Sequence, residues 1–387
     1  MESTNTTPPS DPSLDSSSSI MKIDSLPNLR ILCKRPTSST TNPLVINTAA
    51  VYRSSKPDKI ISAHLDEFRK LGIKCIIDFR SKDEYFSSEG HRLLDKEYSL
   101  FKVCLPKENY KPGQSIQAKE IPIPDDLIVK SEPSTKDVKD SISETTPEGT
   151  KNLKQHYLID FFSMKYILSV FNRLPWHLWC VGILYYLYDF ITRNKFKNFT
   201  KFFVSNAVNR FGIYGQYKDI VNFSQPAICS ALKLIADPEN HPVLINCAYG
   251  KDRTGIVSAL ILTCLGLSKE EVAEEYALSS DGLEPIKHLL YKDLVEKYNF
   301  KEEFCRAETE TMIALLTYIE REYSSIENYM LHIGFGLEEQ KVLKEQLEPK
   351  YTRSSMQDKS QETMSNINQS SNFLEGTVKQ RSVKSTH

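Results

Sequence analysis

The ten residues Asn246-Cys247-Ala248-Tyr249-Gly250-Lys251-Asp252-Arg253-Thr254-Gly255 constrain this chain more than any other segment. An apolar run at 243–245 leads in, and a run at 256–262 with the character of an amphipathic helix leads out, the pattern of strand, tight loop and helix. Backbone N–H groups in such a loop, at the positive end of a helix dipole, form a nest for a phosphate-sized anion. The same field favours thiolate over thiol, which makes Cys247 a nucleophile at neutral pH. Arg253 brings a planar fork that grips two phosphate oxygens at once. Gly250 permits a positive φ inside the loop, and Lys251 adds a second cation. Thr254 is placed to donate to a departing sulfur, and Gly255 lets the helix start close to the loop. A loop for nucleotide phosphates would instead need Gly, four residues, then Gly-Lys-Ser/Thr. The residue types fit attack on a phosphate ester by sulfur.

The segment resembles the cysteine-dependent phosphatase signature in its H-C-x-x-G-K-D-R-T-G form. That form marks the tyrosine-phosphatase family of dual protein and phosphoinositide activity, known mainly from bacteria and fungi. Val51-Tyr52-Arg53-Ser54-Ser55, residues 65–74 and Ile76-Ile77-Asp78-Phe79-Arg80-Ser81 resemble the family's opening. Residues 215–240 resemble its helix and turn before the signature strand, and residues 310–347, with Tyr323-Ser324-Ser325-Ile326-Glu327, its C-terminal helices. The resemblance implies an α/β fold, a central sheet flanked by helices, with an inserted helical lid and C-terminal helices. It implies a phosphocysteine intermediate on Cys247, held by Arg253 and the loop residues Ala248, Tyr249, Gly250, Lys251 and Asp252, with Thr254 assisting. Asp78 is the leading general acid by family position; its alternative is an aspartate that pairs with Arg80 or caps a turn. Asp252 is a second choice for the acid, or an orienter of Arg253. Lys251 suits a substrate with more negative charge than one phosphotyrosine, such as a phosphoinositide. Asn246 departs from the family's histidine, and the lost charge is expected to lower activity without abolishing it.

The chain has 387 residues, 40% of them hydrophobic, enough for one sizeable core. A net charge of −1 gives no electrostatic case for nucleic acid as a partner. The eight cysteines show no C-x-x-C pair, against a zinc site or a disulfide framework, and all but Cys247 read as core thiols. No metal or cofactor is called for, since sulfur and the nest supply nucleophile and charge stabilisation. A Ser/Thr/Pro-rich start without a basic-then-apolar signal implies no secretion and a reducing, cytoplasmic setting.

Residues 1–25 and 350–387 read as disordered tails around a phosphatase domain at 26–349. Within it, 111–154 reads as a mobile insert and 156–205 as helical, the lid of the resembled family. Strands are expected near 49–52, 75–78 and 100–105, and helices over 62–71, over 217–235 with a break near Pro226, and from 270 behind a Ser268–Glu271 capping box. At least three more follow to 347.

Residues 174–190 carry Trp176, Trp179, Tyr185, Tyr186, Tyr188 and Phe190, with Arg193, Lys195, Lys197 and Lys201 behind them. The unbroken apolar run is too short to span a bilayer. A buried core helix, a lid over the site and a peripheral membrane contact through 174–201 remain open. Two functions from other classes stand beside the enzyme: a phosphate-binding module without turnover, and a membrane-surface adaptor. Substrates of the enzyme would be phosphorylated proteins or phosphoinositides.

Overall fold

The computed structural model describes residues 23–32, 51–124 and 154–347. Among them, β1 (Arg30–Ile31), β2 (Val51–Ser54), β3 (Cys75–Asp78), β4 (Tyr98–Val103), β5 (Ala118–Glu120), β6 (Lys154–Leu158) and β7 (Val243–Asn246) form one sheet. Its order is β1-β2-β7-β3-β6-β4-β5. The five inner strands are parallel, and β1 and β5 close the edges antiparallel. β2, β3 and β7 are buried at every residue, as parallel strands covered on both faces must be. The register aligns Ser54, Asn246, Asp78 and Leu158 in one row, so four strands end at the same edge. Ligands in open α/β sheets bind beyond such carboxyl ends.

Alternation along the strands divides the core. Val243, Ile245, Cys75 and Ile77 face a large helical layer, while Leu244 and Ile76 face a small cluster with Ile23, Leu26, Leu29 and Phe68. The small layer holds α1 (Leu65–Lys70). α2 (Lys82–Ser87) starts at a reciprocal capping box, Ser81 with Glu84. After β6 come α3 (Met164–Phe171), α4 (Trp176–Thr192), α5 (Lys197–Phe203), α6 (Asn209–Phe223, interrupted at Gly212) and α7 (Gln225–Ala236). Pro226 sits in the first turn of α7, where its missing N–H costs nothing.

α8 (Asp252–Cys264) follows the cysteine loop, then α9 (Lys269–Leu283), α10 (Lys287–Tyr291), α11 (Thr309–Tyr323), α12 (Ile326–His332) and α13 (Leu337–Leu347). α9 opens at the expected Ser268–Glu271 box. α8 differs from its reading as amphipathic: nearly every residue is buried, because the sheet covers one side and α7, α9 and α12 the rest.

Three further expectations are corrected. The segment from 156 is not helical at its start: Lys154–Leu158 is an inner parallel strand. His156 is tolerated there because its ring packs edge-on to Tyr85 and its Nε2 lies 3.5 Å from Asp78. The 111–154 insert contributes β5 at 118–120, while 125–153 lies outside the described residues. Ile23, placed in the N-terminal tail by its sequence, is buried with Leu26; residues 1–22 and 348–387 lie outside the described residues.

Candidate active site

Cys247 follows directly on β7 and is 2% exposed. The loop around it is held by its carbonyls. Ala248 O accepts from the Lys56 amide at 3.2 Å, Tyr249 O from Asn28 Nδ2 at 3.0 Å, and Gly250 O from Asn28 Nδ2 at 3.1 Å and from Arg53 Nη2 at 2.7 Å. Across a trans peptide the next N–H lies opposite its carbonyl. Drawing three successive carbonyls outward therefore turns three successive amides inward, which builds the anion nest.

Gly250 has φ +65°, and a Cβ there would stand 2.1 Å from the Ser54 carbonyl oxygen. Gly250→Ala should cost at least about 2 kcal/mol of stability and most of the anion affinity. Urea unfolding beside phosphate binding would check this, and unchanged values would refute the loop account.

Arg253 opens α8 beneath the loop and is buried. Its Nη1 donates to Phe79 O at 2.8 Å and to Glu84 Oε2 at 2.9 Å, and Nη2 donates to Glu84 Oε1 at 3.0 Å. Phe162 lies under the guanidinium, 4.7 Å from ring centre to Cζ. A guanidinium has five N–H donors, and these bonds use three. Nε–H and the second Nη2 hydrogen remain, the pair that forms a bidentate fork. Burial works against the charge, but Glu84 and then Cys247 raise the guanidinium above its ordinary range.

Asn28 and Arg53 are anchored in turn. Arg53 Nη1 reaches Glu275 at 2.5 Å and Arg30 Nε reaches it at 2.8 Å, both arginines being buried. Burial, together with the Arg53 charge, lowers Arg30 to about 10.

Two site expectations are altered by the geometry. Lys251 is fully buried and donates to Asp252 Oδ1 at 2.6 Å, with Tyr217 Oη donating to the same oxygen at 2.6 Å. Burial would lower its ammonium, but Asp252 and then Tyr276 and Cys247 carry it above the usual value. It is therefore a cation beneath the loop, paired with Asp252, and not a surface contact for extra substrate charge. Asp78 is buried and engaged by Arg80 through Nε at 2.9 Å and Nη2 at 2.6 Å, while Arg80 also grips Asp58 at 2.6 and 2.8 Å. Burial opposes its charge, yet Arg80 and His156 hold the carboxyl well below the usual range. An acid so firmly ionised has no proton to give, which favours the Arg80-paired alternative.

Thr254 Oγ1 is buried and has no hydrogen-bond partner among the described residues. Asn246 donates weakly to Cys247 O at 3.4 Å, and its Oδ1 is likewise unpartnered. Tyr249 Oη is tied to Asp293 at 2.6 Å. No group of three or more His, Cys, Asp or Glu among the described residues is placed to hold a metal ion.

Two residues escaped sequence reasoning. Asp160 lies just past β6 on the edge that carries Cys247, and its Oδ1 accepts from the Phe162 amide at 3.0 Å. Burial and the nearby Glu84 raise its carboxyl, against the pull of that amide and Arg253. The signal was hidden because β6 itself was not recognised. Glu84 could have been found as the third position of the Ser81 capping box, although the box does not reveal Arg253 as its partner.

The family model described as "Tyrosine phosphatase family" matches residues 21–167 and 189–348. The chain belongs to the tyrosine phosphatase family. Within it, the chain is similar to a tyrosine-protein phosphatase of Nostoc commune, 38% identical over 68 residues, 18% of this chain and 23% of that one. It is similar to an inositol diphosphatase of Oryza sativa subsp. japonica, 32% identical over 92 residues, 24% of this chain and 41% of that one. It is also similar to the triple specificity protein phosphatase of Mycobacterium tuberculosis, 31% identical over 78 residues, 20% of this chain and 28% of that one. The matched stretches thus span less than half the length of each of these three relatives.

Proposed function

We propose that this member of the tyrosine phosphatase family hydrolyses phosphomonoesters through a phosphocysteine on Cys247. The observation that carries the reading is the free edge of Arg253, set by Glu84 beside a loop whose amides face inward. Sulfur attacks phosphorus while the nest and the Arg253 fork hold the equatorial oxygens. Asp160 protonates the leaving oxygen, Thr254 supports the departing sulfur, and Asp160 as carboxylate activates the water that frees phosphate. Lys251 and Asp252 hold the loop from below. Relatives named as tyrosine, triple-specificity and inositol phosphatases favour phosphotyrosine proteins and phosphoinositides as substrates. The setting is a reducing cytoplasm, with α3–α5 as the lid and residues 174–201 as a peripheral membrane contact. Among the described residues no helix is long and apolar enough to cross a membrane.

The test is phosphate release from p-nitrophenyl phosphate, a phosphotyrosine peptide and monophosphorylated phosphoinositides under reductant. Release on none of them would favour a binding module, in which Asn246 has silenced the thiol.

Asp160→Asn should slow esters with poor leaving groups by about 10²–10⁴-fold and spare activated ones. A raised carboxyl acting as acid loses its proton as pH rises, so the wild-type rate for poor leaving groups should fall on that limb. The fall should vanish in the variant. Asp78→Asn should instead cost about 3–5 kcal/mol in urea unfolding, since it leaves Arg80 half-paired in the interior. The opposite pattern would return the acid role to Asp78.

A further inference from the structure

We propose that α4, α5 and the turn joining them form a docking surface for an anionic lipid membrane. The inference deepens the peripheral contact proposed above and rests on that reading. α4 was open to being an ordinary core helix, and its exposure overturns that: Trp176 is 79% exposed, Leu184 65%, Phe190 66% and Ile191 78%. At 100° per residue, Trp176, Cys180, Leu184, Leu187 and Ile191 fall in one row on the side away from the buried Gly182 and Asp189. The most exposed stripe of the helix is thus apolar, whereas a surface helix normally shows water its polar side. Such a patch on a folded domain marks a contact surface.

The helix is firmly seated on its other side. A Cβ on Gly182 would stand 2.5 Å from the Phe171 ring and 2.9 Å from Phe202, so α4 lies close against α3 and α5. The turn after it holds Arg193, Lys195 and Phe196 at positive φ, with Phe196 stacked on Tyr186 at 4.9 Å. Exposed cations are fixed there beside the apolar stripe.

Charge selects the occupant. Residues 161–210 carry seven Lys and Arg against one acid, in a chain with 49 basic and 50 acidic residues. That acid, Asp189, is 1% exposed and accepts from Asn198 Nδ2 at 2.7 Å and from the Phe199 amide at 2.8 Å. Its carboxylate joins α4 to α5 and is withdrawn from the surface. A second copy seated face to face would bring these cations together with no exposed carboxylate in the segment to meet them. An interface of anionic headgroups over acyl chains offers both the charge and the apolar phase, with Trp and Tyr at the boundary. Phe162, on which Arg253 rests, leads through α3 to Phe171 beneath α4, so the surface lies one short helix from the cysteine site.

Trp176 and Trp179 are the two tryptophans of the chain, so intrinsic emission reports this helix alone. Full-length protein should co-sediment with phosphatidylcholine vesicles containing phosphatidylserine, with a blue-shifted emission that salt reverses, and should ignore phosphatidylcholine alone. Leu184→Glu with Ile191→Glu should abolish the shift. Lys195→Gln with Lys197→Gln should weaken partitioning roughly thirtyfold. Both doubles should keep the wild-type circular dichroism spectrum and urea unfolding midpoint, which establishes that they are folded. Absence of binding to the phosphatidylserine vesicles overturns the proposal. So does a concentration-dependent dimer in sedimentation that the Glu double dissolves, which would assign the stripe to a second copy. Loss of hydrolysis in the wild type would instead count against the phosphatase reading and leave the vesicle result standing.

Discussion

Cys247→Ser should lower phosphate release by at least about 10⁴-fold on every substrate while leaving anion binding near its wild-type strength. The two halves have separate origins. Turnover needs a sulfur that ionises and then leaves phosphorus, and a serine hydroxyl in the same place does neither at neutral pH. Binding depends on the inward amides and the Arg253 fork, and the carbonyl contacts that orient them come from Asn28, Arg53 and Lys56. None of these hydrogen bonds involves the Cys247 side chain. Calorimetry with inorganic phosphate on the variant, beside a discontinuous phosphate assay, reads both. Substantial residual release would place the nucleophile elsewhere, and lost binding would mean that sulfur organises the loop.

Arg253→Lys should cost about 10²–10³-fold in kcat/KM although the charge is kept. Glu84 and Phe79 O occupy one edge of the guanidinium and leave the other for two phosphate oxygens. An ammonium has no second edge. If it reaches Glu84 it leaves the phosphate, and if it reaches the phosphate it abandons Glu84. The loss should be larger in kcat than in KM, because the oxygens carry most charge in the transition state. Rescue towards wild type by combining the lysine with Glu84→Gln would show that competition for the cation is the cause. An Arg253→Lys enzyme within a few fold of wild type would refute the fork.

The parts of this molecule that were legible in the sequence are local ones. The strand, loop and helix around Cys247 announce themselves because one short stretch holds the turn glycine, both cations and the apolar flanks. β3 and the box-capped start of α9 were likewise visible in adjacent residues. What escaped depends on partners far apart in the chain. β6 carries His156 and Gln155 on an inner strand, an unfavourable composition in which His156 is accommodated by Asp78 on β3 and Tyr85 on α2. Missing β6 concealed Asp160. Lys251 looked like a substrate cation because sequence shows its charge but not the Asp252 and Tyr217 pairing that encloses it. Asp78 stood in the position the family uses, and only the Asp58–Arg80–Asp78 cluster reveals how its charge is occupied.

The bracket on the cysteine loop also sets when the site comes into being. Asn28, Arg53 and Lys56 are synthesised long before Cys247, but Arg30 and Arg53 are secured by Glu275, which follows it. A chain still emerging from the ribosome with its signature complete and α9 unmade has Cys247 without the frame that holds its loop. On the proposed mechanism turnover would begin as one late event, when Glu275 secures the two arginines behind the loop.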